Sequence, residues 1–190
     1  MNGKLHQKKI SEVYPIKRYG VIAESIFLFL IGTLPIIIHA KFRYDLGIPG
    51  HHGLEYMALI MLGRTATDIR WASVFISLGI LSMLFLPYIG LKNPITAIVF
   101  VLPPFIVDII YNSKKNWKNN ILLLSVIGGI AYSILPVSKL LIMLTTGFPY
   151  KAFLRNPVVP FITHFIFGFA GALFGAGIII TIRRIKKSNK

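Results

Sequence analysis

Cysteine is absent from the 190-residue sequence, which excludes disulfides, thiol catalysis, Cys-ligated zinc and iron–sulfur clusters. Acidic residues are scarce as well: six Asp and Glu stand against 21 Lys and Arg, for a formal net charge of +15. Charged residues of both signs make up only 14% of the chain, against about 25% in an ordinary soluble domain. Phosphate-binding and metalloprotease signatures are missing too, since the sequence has no G-x-x-x-x-G-K-[ST], no G-x-G-x-x-G and no H-E-x-x-H. ATP hydrolysis and dinucleotide binding therefore have no recognisable device here, and no resident cofactor is expected. Energy for any transport has to come from an ion gradient or from a partner.

What the chain does contain is apolar: 55% of residues are of the AVILMFWYC set, and the mean hydropathy is +0.70. A basic nucleic-acid binder carries its charge on a hydrophilic face, whereas these basic residues sit at the chain ends and between long apolar runs. Nucleic acid is excluded as a partner, and the lipid bilayer is expected in its place. The sequence reads as an all-α integral membrane protein, a single compact bundle of six transmembrane helices with a short second one.

About 20 apolar residues are needed to cross roughly 30 Å of hydrocarbon. The expected spans are 21–40, 48–64, 72–90, 94–112, 121–145 and 158–182. The first follows a basic leader, but its apolar run is about twice a typical signal-peptide core and lacks a small-x-small cleavage site, so it reads as a retained helix. The second is ambiguous between a short crossing and a re-entrant element, because its apolar core, 54–63, is half a normal span. Charge decides in favour of a crossing. Each terminus carries five Lys or Arg, and basic segments stay cytoplasmic, so both ends belong inside a cell membrane and the number of crossings is even. Six crossings leave 15 Lys and Arg on the inner side and five in the outer loops, with Lys139 inside the fifth span. Trp71, Tyr88, Tyr111, Trp117, Phe148 and Tyr150 fall at or near span ends, where amphipathic rings favour the interface.

A charged side chain in mid-membrane costs about 2.5–3.5 kcal/mol on insertion scales, so such residues face protein or water. Counting about 1.5 Å of rise per residue puts His39, His51, His52, Glu55, Lys139 and His164 at one outer level, drawn from four separate elements. They are the candidate substrate-binding residues, with the P-G-H-H-G turn as a lid. Each also has an ordinary structural reading: interfacial contacts for the three adjacent-to-water histidines, outward snorkelling for Lys139, a helix-dipole role for Glu55 in a first turn, and a buried hydrogen bond for His164. A second group, Glu24, Arg64, Asp68, Arg70 and Asp108, falls at the inner level, where ion pairing that anchors helices competes with a docking or proton-handling surface. Gly168, Gly171, Gly175 and Gly177, with Ala170, Ala172 and Ala176, give the sixth span small-x-x-x-small spacing for close helix packing. Gly128-Gly129, Pro136 and Pro103-Pro104 interrupt helices, as broken helices do in transporters.

This layout resembles the substrate-binding S components of energy-coupling factor (ECF) transporters, and RYDLGIPGHHGLEYMALIMLGR, residues 43–64, is similar to their gate loop and short second helix. The resemblance implies a small-molecule ligand, vitamin-like or a metal, taken up from outside, with ATPase and transmembrane coupling subunits supplied as separate partners. Competing expectations are an accessory or assembly membrane protein, an ion-coupled carrier using Glu55, Lys139 and His164 as a relay, and an intramembrane enzyme in which His51 and His52 act as acid, base or metal ligands. Adjacent histidines diverge on a helix, so two ligands from that pair require loop geometry.

Overall fold

The computed structural model describes residues 16–41, 47–83, 86, 94–113 and 115–189, and among them every regular element is helical. In chain order these are α1 (Ile16–Lys41), α2 (Gly53–Ala66), α3 (Ala72–Ser82), α4 (Pro94–Ser113), a 3₁₀ turn (Lys115–Asn119), α5 (Ile121–Tyr132), α6 (Ile134–Thr146), α7 (Lys151–Arg155) and α8 (Val159–Ser188).

Among the described residues, three stretches are long and apolar enough to cross a membrane: Gly20–Lys41, Ile121–Thr146 and Val159–Ser188. Their outward faces are as greasy as a protein core. Ile22, Ile26 and Leu30 on α1, Leu122 and Ile130 on α5, and Ile162, Ile166, Phe174, Ile178 and Ile182 on α8 all stand exposed. Contiguous apolar surface of this extent demands a nonaqueous neighbour, and lipid supplies it.

The remaining expected spans differ in detail. Helix α2 has 14 residues and rises about 21 Å, short of the hydrocarbon thickness. It begins at Gly53 and not at residue 48 because Gly47 and Gly50 adopt φ values of +63° and +82°, a left-handed conformation that stops a regular helix. The expected 72–90 span is helical from Ala72 to Ser82, and its residues 84–85 and 87–90 lie outside the described part of the chain. The expected 121–145 span is two helices meeting at Ser133. Pro136 has no N–H to offer the Tyr132 carbonyl, and Ser133 instead directs both its N–H (3.0 Å) and its Oγ (2.8 Å) to the Gly129 carbonyl.

Helix α2 occupies the middle of the bundle, where Tyr56, Met57, Ile60 and Met61 are buried together with Ile76 and Ile80 of α3, Val107 of α4, Leu124 of α5 and Ala172 and Ala176 of α8. Its crossing with α8 brings backbone against backbone: a Cβ placed on Gly175 would run into the Ala58 carbonyl, and one on Gly171 into the Gly53 and Leu54 carbonyls. The crossing of α1 and α3 is reciprocal in the same way, with Gly32 against the Ile76 carbonyl and Gly79 against that of Phe29. Such contacts replace the hydrophobic effect, which is weak between helices in lipid, with close van der Waals packing.

Candidate functional site

The turn at residues 47–52 gathers the six outer candidates at one end of the bundle, but in two groups. The first surrounds the start of α2. His52 Nδ1 lies 2.8 Å from Glu55 Oε1, the His39 ring stands edge-on to the His52 ring with centroids 4.0 Å apart, and the His51 ring centroid lies 3.9 Å from that of His52. His51 Nδ1 is 2.7 Å from the Ile48 carbonyl, so that nitrogen carries the proton and donates it. His39, His52 and Glu55 each offer one ligand atom, and these atoms lie within 4.8 Å of one another.

The second group is Lys139 of α6 and His164 of α8. His164 is buried, and its Nδ1 donates to the Pro160 carbonyl at 2.6 Å, which leaves Nε2 of the neutral ring as an acceptor. Its ring stacks on Tyr132 at 5.1 Å and 26°, and its Nδ1 edge fills the space where a side chain on Gly50 would begin. Glycine at 50 is therefore required twice, by its positive φ and by the imidazole against it. Lys139 and His164 line a cavity of about 160 Å³ together with Tyr150, Lys151, Pro49 and Gly50. Among the described residues no hydrogen bond or ion pair reaches the Lys139 ammonium, and Glu55, the carboxylate nearest to it in depth by sequence, is engaged with His52.

A larger cavity of about 830 Å³ adjoins the first, and Pro49, Gly50, Lys151 and Ala152 border both. The 47–52 turn forms one wall of it, and Lys151, Arg155, Asn156 and Val159 form the other. Its volume falls within the range of about 300–1,000 Å³ usual for small-molecule sites, whereas the inner chamber admits only a small group such as a carboxylate or phosphate. Lys139, Lys151 and Arg155 make the surroundings cationic. Tyr150, Lys151 and Arg155 line the cavities without a sequence pattern that marks them as ligand-facing.

The inner candidates divide differently. Arg64 Nε and Asp108 Oδ1 form a buried ion pair linking α2 to α4. The Ser73 N–H donates to Asp108 Oδ2 at 2.7 Å, Arg64 donates to Asn112 Oδ1 at 3.0 Å, and the guanidinium lies 4.2 Å over the Tyr111 ring. Tyr111 is thus turned into the core, with the Arg64 guanidinium over its ring. Thr67 Oγ1 donates to Glu24, tying α1 to the segment after α2. Asp68 and Arg70 are exposed, with the Arg70 guanidinium 6.0 Å over the Trp71 ring. Arg64, Asp108 and Glu24 thus tie separate elements together through their side chains.

No family model, curated protein or solved structure matches this chain. Fold and site together define an all-helical, membrane-associated protein with a cationic two-chamber cavity under a glycine-hinged turn.

Proposed function

We propose that the chain is a membrane transport protein, a multi-pass substrate-binding subunit of the S-component kind, which takes a small anionic or polar ligand from the outer side and relies on a separate ATPase module. The observation that carries this reading is Lys139, which lines the inner chamber and makes no hydrogen bond or ion pair among the described residues. An ammonium set in an apolar helix is costly unless water or a counter-charge reaches it, and a ligand carboxylate or phosphate fits that need. His164 Nε2 supplies a complementary acceptor, and the larger cavity accommodates the rest of a vitamin-sized molecule. Six crossings, with both termini cytoplasmic, complete the proposal.

Mass spectrometry of gently purified protein identifies the ligand, and equilibrium binding then tests the site. Lys139→Met keeps length and packing while removing charge, so it is expected to weaken binding by about 1.5–3 kcal/mol, the range for a charge-assisted hydrogen bond. His164→Ala is expected to weaken it as well. Unchanged affinity in both variants, at equal thermal stability, returns both residues to helix packing.

Topology is open to a direct check because the chain has no native cysteine. Cysteines introduced at Lys92 and Lys151 are expected to react with an impermeant thiol reagent added outside intact cells, and those at Lys115 and Asn189 to stay unlabelled. Outside labelling of Asn189→Cys defeats the even number of crossings.

A further inference from the structure

Two of the chain's five histidines and one of its six acidic residues converge where the end of α1 meets the start of α2. His39 comes from the last turn of α1, His52 from the glycine-bounded turn, and Glu55 from the first turn of α2. In a protein of net charge +15, a carboxylate flanked by two imidazoles is the local exception to a cationic surface.

We propose that His39, His52 and Glu55 form a binding site for a divalent transition-metal ion of the Zn²⁺ type, which fastens the outer end of α1 to the 47–52 turn. Two imidazole nitrogens and one carboxylate oxygen are a donor set suited to Zn²⁺, Co²⁺ or Ni²⁺, whereas Mg²⁺ and Ca²⁺ favour oxygen ligands throughout. Bonds of about 2.0–2.2 Å to a tetrahedral ion set neighbouring donors about 3.3 Å apart. His52 Nδ1 and Glu55 Oε1 share a hydrogen bond at 2.8 Å, so the pair opens by about half an ångström when the ion replaces the proton between them, and all three ligand atoms lie within 4.8 Å of one another. His39 is exposed, so a rotation of its ring closes the remaining gap without repacking the core. Three protein ligands leave a coordination position for water or a donor from a ligand, and His52 also lines the larger cavity. The site uses neither Lys139 nor His164, the residues that carry the transport reading, although His52 borders the same larger cavity.

The test uses the full chain, freed of any affinity tag and stripped with chelator, titrated with Zn²⁺ and with Co²⁺ as a spectroscopic substitute. The expected result is one ion per chain, a Co²⁺ d–d spectrum of low-symmetry tetrahedral type, and a rise in thermal midpoint with Zn²⁺ but not with Mg²⁺. His39→Ala and His52→Ala are expected to weaken affinity by about 10- to 100-fold or more, while His6→Ala leaves it unchanged. Absence of stoichiometric Zn²⁺ binding and of any thermal shift in the unmodified chain overturns the proposal without recourse to variants. So does binding that survives the double substitution at His39 and His52. Loss of the metal site with anion binding at Lys139 intact leaves the transport reading standing, and the converse result separates the two equally well.

Discussion

Asp108→Asn is expected to destabilise the bundle by about 3–5 kcal/mol, the cost of removing one partner from a buried ion pair and leaving the other charge uncompensated. Both side chains are shut away from solvent, at 2% exposure for Arg64 and 0% for Asp108. Every other contact of the pair is built around the charges. Asp108 Oδ2 accepts the Ser73 N–H at the start of α3, and the guanidinium reaches Asn112 and the Tyr111 ring on α4. The variant thus loosens α2, α3 and α4 at once. Arg64→Leu combined with Asp108→Leu is expected to be less destabilised than the sum of the single changes, because neither charge is then left alone. Thermal unfolding in a single detergent or nanodisc system, run as a double-mutant cycle, measures the coupling. Additive losses mean that the two charges do not act as a pair.

Two glycines two residues apart in α8 are expected to respond to alanine with opposite signs. At Gly175 the added methyl has no room beside the Ala58 carbonyl, and the obstacle is backbone, which cannot rotate aside as a side chain does. Helices α2 and α8 must separate along the crossing that buries Ala172 and Ala176, and overpacking of this kind costs about 1–3 kcal/mol. At Gly177 nothing lies within 4 Å of the same methyl, so Gly177→Ala is expected to be neutral or to stabilise by up to about 1 kcal/mol through helix propensity. Parallel melting curves of the two variants decide the matter. Equal effects at both positions mean that the α2–α8 crossing is wider than described.

Apolar run length by itself was enough to locate the helices that face lipid. Around 21–40, 121–145 and 158–182 the outward side is apolar because lipid touches it and the inward side because protein does, so the run is unbroken and its limits fall close to those of α1, α5–α6 and α8. The interruption near Pro136 was legible from a missing N–H, but the same signal at Pro103-Pro104 was not decisive, since α4 runs unbroken through both prolines, and the second span was ambiguous because its apolar core is half a normal length. Rise per residue gives His39, His51, His52, Glu55, Lys139 and His164 one expected level, and their contacts form two groups around the 47–52 turn. Azimuth was not legible. Which way a side chain points around its helix depends on what packs against that helix, and this assigned Glu55 to His52 and not to Lys139, turned Tyr111 inward under Arg64, and made Gly175 a contact while leaving Gly177 open. The pairing of Arg64 with Asp108, 44 residues apart, likewise follows from α2, α3 and α4 meeting around one buried charge, a contact that no local spacing encodes.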